Sequence, residues 1–592
     1  MITHNVIDYP TSFYSREGQK ENGVFYTPLF LAKYLIRKVI KYVGNVEEIS
    51  AILDPACGDS VLLRSFAYEW LKYQPNSLPS IFGIDKDINA ILSSNSKFTD
   101  EPLDLFDSKF INRDALFPIT RKNSIEGWEE LKNEWEIENG FDVVLSNPPW
   151  GASLEGYDNL ALNFNFTLAK GQFDIYDLFV ELILNQLNKN GIYGLILPDS
   201  VFGQEHTNLR CLLSKNTTIH LIARLGEKIF PEINRACVVI IGKNTKANEK
   251  HKVDCFRLEA SYKKKVLINE LSLEEVEKDF LHQVPQSRFR ENENYLFDID
   301  LKIIEETIFN KIEKESSPLK TYIKSTRGAE ISKKGIVYQC PNCNLWMPYP
   351  KSKIPKCSNC KSALNLENAD SEKIILNHNG IGNVKLKVGE DLFRFTSLSK
   401  SWINTLKKGI NYKKMSIYEG DKILVRKTGV GITASMDYEN AITNQVVYIL
   451  KLNPFFETKL SLEFVLAILN SRAMTYYLIK KYGENQWRSH PYLTQTMVGN
   501  LPFPKIDLKN EKIQKTINQV TKLVRNEVID SKEKNIPLKI DLQIEKIVAQ
   551  LFGLDKDDYK TIFKTLTSSE QLIPIKRLLN CSVNDIFKTN GV

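Results

Sequence analysis

No run of about 18 apolar residues occurs anywhere in the 592-residue chain, so a membrane-spanning helix is not expected. The N-terminal segment MITHNVIDYPTSFYSREGQK lacks the basic-then-apolar pattern of a secretory leader, and a cytoplasmic protein is expected. Low-complexity tracts are missing too; 42% hydrophobic and 26% charged residues describe an ordinary globular chain. Cysteine is sparse and mostly scattered. Five of the nine (Cys57, Cys211, Cys237, Cys255, Cys581) read as reduced thiols rather than a disulfide framework. The glycine fingerprint GxGxxG is also absent, which sets aside a dinucleotide-dependent dehydrogenase. The length exceeds what one hydrophobic core supports, so about two to four domains are expected.

Charge is unevenly placed. Residues 1–250 carry 25 Lys and Arg against 32 Asp and Glu, whereas residues 301–592 carry 46 against 29. A basic second half beside an acidic first half fits a polyanion-binding module joined to an enzyme core, and it also fits a solvated surface.

Apolar runs alternate with helix-period segments between about residues 25 and 245. Ala51–Leu53, Ile81–Ile84, Phe141–Leu145, Gly191–Leu197 and Cys237–Ile241 read as strands, and Leu178–Leu184 as helix. This alternation predicts a parallel sheet covered by helices, with ligands beyond the carboxyl ends of the strands. The loops there carry the polar chemistry. Asp54-Pro55-Ala56-Cys57-Gly58-Asp59-Ser60 pairs an acid with small residues, which lets a ligand approach the backbone. Asp85 ends the second strand, placed to accept ribose hydroxyls, and Asp114 offers an acceptor for an adenine amino group; each also fits an ordinary turn or cap.

Leu145-Ser146-Asn147-Pro148-Pro149-Trp150 closes the third of these runs. Two prolines fix the backbone, which sets the direction of the Pro148 carbonyl. That carbonyl and the Asn147 side-chain oxygen can accept both hydrogens of one planar amino group. The nitrogen lone pair is then freed for attack on a methylsulfonium, and Trp150 offers a flat face for an extruded base.

With these residues in place, the sequence resembles the gamma-class, TaqI-like DNA amino-methyltransferases. Gly23-Val24-Phe25-Tyr26-Thr27-Pro28 resembles the segment that closes over the cofactor, which implies roles for Tyr26 and Thr27. Asp54 to Ser60, including Ala56 and Gly58, resembles the cofactor loop, with Asp59-Ser60 where Ser-Gly is commoner. Asp85 and Asp114 match the ribose- and adenine-binding acids. Lys170 to Phe179 resembles the segment whose aromatic residues line the cofactor pocket, which implies a contact for Phe179. Leu225 to Pro231 and Ala236 to Val239 resemble the last catalytic-domain motif. The resemblance implies S-adenosylmethionine as donor. Related tetrapeptides occur in protein-glutamine and ribosomal-RNA enzymes. Asn147 favours adenine-N6 over cytosine-N4 enzymes, which more often carry Ser-Pro-Pro, and the motif lacks the nucleophilic cysteine of cytosine-C5 enzymes.

The second half reads as a DNA-recognition module. Arg327 to Ile331 opens a β-rich region, and Lys422–Gly429 with Asn444–Leu450 resemble paired strands of the family's specificity domain. Leu466 to Arg472 and Leu501 to Pro504 resemble its closing helix and proline-rich exit. Cys340 and Cys343 form one CxxC knuckle, and Cys357 and Cys360 a second after thirteen residues. Four thiolates so spaced can close a tetrahedron around a structural zinc. Trp346, Tyr349, Lys351, Lys353 and Lys356 between or beside the knuckles fit either DNA contact or mere solubility.

The expected architecture is therefore α/β. A Rossmann-like methyltransferase domain (1–245) is followed by a helical connector (246–320) and an α+β target-recognition region (321–507) with a zinc-ribbon insertion (338–362). A helical C-terminal region (508–592) completes it. The expected activity is site-specific methylation of N6 on a flipped-out adenine in double-stranded DNA. Its setting would be restriction-modification or phage defence, with a separate restriction endonuclease as a potential partner. Asn147, Pro148 and Trp150 are the catalytic candidates. The alternatives are a fused restriction-modification enzyme, for which Asp541, Glu545 and Lys546 form the nearest nuclease-like pattern, and a catalytically weak DNA-binding defence component.

Overall fold

The computed structural model describes residues 26–588 apart from 45, 75, 120–122, 152–153, 155–156, 158–165, 232–234, 333, 349–354, 365–368, 484–491, 530–534 and 569–576. The chain divides into two compact units, Met1–Ile303 and Ile304–Val592. No helix among the described residues is long and apolar enough to cross a membrane.

In the first unit nine strands form one sheet. They are β1 (Ala51–Asp54), β2 (Ser80–Asp85), β3 (Ser108–Asn112), β4 (Phe141–Ser146), β5 (Leu187–Pro198), β6 (Thr218–Gly226), β7 (Cys237–Lys243), β8 (Lys252–Arg257) and β9 (His282–Pro285). Their order is β3-β2-β1-β4-β5-β7-β6-β8-β9. The strands β1 to β5 run parallel, with Leu53 beside Phe82 on one flank and Val144 on the other. The order reverses between β1 and β4, which opens the crevice where ligands of such sheets bind.

Side chains alternate across the sheet, so successive residues serve two cores. Ile52, Val143, Leu145, Val239 and Ile241 pack with α1 (Leu29–Val43) and α2 (Val61–Tyr73). Leu53, Val144, Leu195, Val238 and Ile240 belong to the opposite core with α3 (Ser124–Glu134) and α4 (Ile175–Gln186). Because both faces are covered, the central strands are continuous apolar runs rather than alternating ones.

All five strands expected from the sequence lie within β1, β2, β4, β5 and β7, and the expected helix lies within α4. The sheet is not wholly parallel, however. β7 runs antiparallel to both β5 and β6, because the chain doubles straight back after β6. Part of the segment expected as a helical connector also enters this sheet as β8 and β9. Those strands are short and lie among lysine- and glutamate-rich residues, which gave the stretch a solvated, helical pattern.

The second unit is built on small sheets. Ile323–Arg327, Val447–Leu452, Lys422–Arg426 and Ala434–Asp437 form an antiparallel four-stranded sheet, with Ile423 opposite Leu450. Ile375–Leu376, Ser401–Asn404, Asn383–Lys387 and Ile442–Thr443 form another. A buried ionic link ties the two. Asp437 lies 2.7 Å from Lys387 Nζ and 2.6 Å from Lys422 Nζ, with all three side chains sealed from water. The two lysines hold the Asp437 carboxyl below its ordinary range, against the opposing effect of burial. The helices Leu462–Leu469 and Arg472–Tyr482 follow within the region expected as α+β, and Glu511–Val524, Leu538–Leu551 and Lys556–Ser568 make up the helical C-terminus.

Candidate active site and cysteine cluster

The polar residues singled out in the sequence gather where β1, β2 and β4 end. Asp54 closes β1 with its carboxyl buried; Oδ1 accepts the Ala56 N–H at 3.0 Å, and burial pushes the acid up to about 8. The loop then turns back toward β2. Gly58 takes φ +52°, and its N–H donates to Asp85 Oδ2 at 2.8 Å, while Asp87 N–H donates to Asp85 Oδ1 at 2.9 Å. The Lys86 N–H contributes a further backbone contact, so the Asp85 carboxylate is held by backbone donors on both oxygens. Burial raises this acid as well. A Cβ on Gly58 would stand 3.8 Å from the Tyr26 ring, so the missing side chain leaves a shallow cradle between loop and ring. Tyr26 thus joins the cluster, whereas Gly23 to Phe25 lie outside the described residues.

The departure at Asp59-Ser60 has a structural account. Ser60 adopts φ +64°, the conformation glycine takes most readily, and its hydroxyl donates to the Asp59 carbonyl at 2.6 Å. Asp59 is buried between Lys97 Nζ at 2.9 Å and Arg64 Nη2 at 3.3 Å. Its charge anchors the loop rather than facing the crevice.

Asn147 follows β4 directly, and its Nδ2 donates to Thr27 Oγ1 at 3.1 Å. Thr27 is buried, so this bond turns the Asn147 carbonyl oxygen toward its other side. Pro148 is buried. Trp150 is only 1% exposed and meets Phe230 edge-on with ring centres 5.0 Å apart. As placed, the indole is closed to solvent, so a base could stack on it only if that packing opened. The Trp150 carbonyl accepts from Arg235 Nη1 at 2.9 Å, and the Gly151 N–H donates to Asp174 Oδ1 at 2.9 Å.

Asp114 is already engaged. Tyr157 donates its hydroxyl to Oδ2 at 2.7 Å, Lys86 Nζ lies 3.0 Å from the same oxygen, and Oδ1 accepts Leu116 N–H at 3.1 Å. Lys86 also contacts the Tyr157 hydroxyl and lies 4.6 Å from the centre of its ring. An adenine amino group at Asp114 would therefore share it with these two residues. Phe179 is buried in the core on the α4 side of the sheet. Lys86, Tyr157, Phe230, Arg235 and Asp174 were not named as site residues from the sequence. Asp174 and Phe230 stand inside the quoted motif segments, but no local spacing pointed to Lys86, Tyr157 or Arg235.

In the second unit Cys340, Cys343, Cys357 and Cys360 converge, with all four Sγ atoms within 4.8 Å of one another. The Cys340–Cys360 and Cys343–Cys357 separations are both 3.7 Å. A tetrahedral zinc with Zn–S bonds near 2.3 Å implies S···S edges of about 3.8 Å, so the donor set fits zinc. The Ser362 hydroxyl, 3.0 Å away, holds the Cys360 thiol down near about 6, while burial pushes Cys357 up to about 11. Cys340 follows the strand Ile336–Gln339, and Cys343 precedes Trp346–Pro348; the two strands pair antiparallel. Lys407 Nζ lies 4.4 Å from the Trp346 ring centre, which gives that half-buried indole a packing role. Lys356 belongs to a bridge with Ala363; Tyr349, Lys351 and Lys353 lie outside the described residues.

The nuclease-like carboxylates are structural. Asp541 and Glu545 are buried; Arg472 reaches Asp541 at 2.9 Å and Glu545 at 3.0 Å, Arg394 bonds Asp541 at 2.9 Å, and Tyr559 donates to Glu545 at 2.8 Å.

The N-6 DNA methylase family model matches residues 5–317, and the TaqI-like C-terminal specificity domain model matches residues 384–503. The type I restriction enzyme MpnII methylase subunit of Mycoplasma pneumoniae is 24% identical over 353 residues, which cover 54% of this chain and 62% of that protein. The type II methyltransferase M.VspI of a Vibrio species is 25% identical over 244 residues, covering 41% of this chain and 52% of that one. The chain thus spans about half to three-fifths of the length of these relatives. Among solved structures, the type IIL restriction-modification enzyme MmeI in complex with DNA shares the fold at a TM-score of 0.53 and 13% identity. That match covers 95% of this chain and 81% of the other.

Proposed function

The chain belongs to the N-6 DNA methylase family, and from that premise we propose that it methylates N6 of an adenine extruded from double-stranded DNA. S-adenosylmethionine supplies the methyl group on a positively charged sulfur. Asp85 would hold its ribose, with Tyr26, Asp54, Ala56 and Gly58 around it and Asp114 toward its adenine; Phe179 would line the pocket. These assignments rest on the gathering of the β1 and β2 loops beside Tyr26.

The observation that carries the reading is the Asn147–Thr27 hydrogen bond at the end of β4. With one amide N–H directed at Thr27, Asn147 would offer its carbonyl oxygen to one hydrogen of the target amino group, and the Pro148 carbonyl would take the other. The amino nitrogen then loses conjugation with the ring and presents its lone pair. Positioning and polarisation carry the rate, and neither a metal nor a covalent enzyme intermediate is required. Trp150 would stack the extruded base once the Phe230 packing opens.

The second unit would read the DNA, with a zinc held by Cys340, Cys343, Cys357 and Cys360 for structure alone. The setting that fits is a modification enzyme in restriction-modification or phage defence, acting in the cytoplasm beside a separate endonuclease.

Labelled-methyl transfer to DNA from a methylation-deficient host, followed by digestion to nucleosides, tests the reading. N6-methyladenine is the expected product; N4-methylcytosine, or label in protein instead of DNA, would overturn it. Asn147→Ala should abolish transfer while cofactor binding, measured by calorimetry, persists.

A further inference from the structure

The peptide group joining Trp150 to Gly151 is held at both of its polar atoms. Arg235 Nη1 donates to the Trp150 carbonyl at 2.9 Å, and Asp174 Oδ1 accepts from the Gly151 N–H at 2.9 Å. The holders come from separate places. Asp174 is the N-cap of α4, and Arg235 lies two residues before β7.

Gly151 makes room for this clamp. It adopts φ +63°, and a Cβ there would stand 2.6 Å from Arg235 Nη1 and 2.8 Å from Nη2. The guanidinium therefore fills the space that a side chain would take. Asp174 is itself fixed, since its N–H donates to Asp177 Oδ2 at 2.9 Å. Buried His206 in turn places Nδ1 2.9 Å from the same Asp177 oxygen. The consequence is a tetrapeptide set from both ends. Pro148 and Pro149 limit the backbone upstream, and the clamp fixes the rotation of Trp150 downstream.

We propose that Arg235 and Asp174 are positioning residues of the target-base pocket, locking the Trp150–Gly151 peptide so that the backbone of the tetrapeptide, and with it the Pro148 carbonyl, keeps its direction while the Trp150 ring remains able to turn from Phe230. This inference rests on the methyltransferase reading above. Neither side chain needs to touch the base, and each acts through the peptide it holds. Arg235 is exposed, so its removal should leave the fold intact.

The test is steady-state methyl transfer to DNA by the full chain, with cofactor affinity and melting temperature measured alongside. Absence of transfer by the unaltered protein would defeat the methyltransferase reading itself. If that protein is active, Arg235→Ala and Asp174→Ala should each lower kcat roughly ten- to hundredfold, the scale of a misplaced reacting group. The KM for the cofactor should stay unchanged. Gly151→Ala should give the same phenotype by displacing the guanidinium. Arg235→Lys and Asp174→Asn, which keep a donor and an acceptor, should recover part of the loss. The double alanine variant should lose less than the product of the single losses, because both residues hold one peptide. Unchanged kcat in both alanine variants overturns the proposal. So does a fall in kcat matched by lost cofactor affinity or lost melting temperature, or an absence of rescue by both conservative variants.

Discussion

At the scale of single residues, Asp54 shows how burial sets chemistry. Its carboxyl ends a strand sealed on both faces, and the cost of desolvating a charge pushes it up to about 8. An unfolded aspartate titrates near about 4, so between about pH 4 and 8 the folded state holds a proton that the unfolded state has released. Stability from this group therefore falls as pH rises through that window and levels off above it. Asp54→Asn carries no such proton. The melting temperature of the variant relative to the unaltered protein should rise from pH 5 to pH 8, and an offset independent of pH would contradict the account. Asp59, five residues along the same loop, is equally buried and forms ion pairs with Arg64 and Lys97.

At the scale of elements, the cysteine knuckles sit on strands too short to hold together alone. Ile336–Gln339, Trp346–Pro348 and Ser371–Lys373 make a three-stranded sheet of four, three and three residues, with a small apolar cluster around Cys340, Met347, Cys357 and Leu364. So little buried surface calls for a staple, and the zinc proposed for the four thiols would provide one. Purified protein should release one zinc per chain to a colorimetric chelator after acid treatment. Cys340→Ser should lose the metal and open residues 336–376 to protease while the first unit keeps its cofactor affinity. Retention of zinc and of protease resistance by that variant would refute the assignment. Elsewhere in the same unit ionic links join elements: Arg472 from one helix secures Asp541 and Glu545 of another.

For the whole molecule, the basic excess beyond residue 300 becomes a statement about the partner. Cations that neutralise phosphates release condensed counterions, so DNA affinity should fall linearly in log–log form as salt increases. Fluorescence anisotropy with duplex DNA between 50 and 200 mM salt should show a loss of roughly a thousandfold or more if about six phosphates are contacted. Affinity that is flat across this range would remove DNA as the polyanion and leave the charge as a solvated surface. The buried Lys387–Asp437–Lys422 link qualifies the simple charge count, since two of those lysines are spent inside the fold.

Much was legible because strong local patterns encode it. Strands buried on both faces must be apolar throughout, so β1, β2, β4, β5 and β7 stood out, and the loops after β1, β2 and β4 carried the candidate chemistry. CxxC spacing declared the cysteine cluster in the same way. The strands β3, β6, β8 and β9 were not legible; β3, for example, mixes polar residues with few buried ones. By itself, then, the sequence determined the alternation of strand and helix, the identity of the loop residues and the four thiols, since each depends on neighbours in the chain. Tertiary structure alone decided that β7 runs antiparallel, that Thr27 turns Asn147, that Lys86 and Tyr157 share Asp114, and that Arg235 meets Asp174 across one peptide. Those pairings join residues up to 120 positions apart, and only packing of the sheet brings such groups within hydrogen-bond reach.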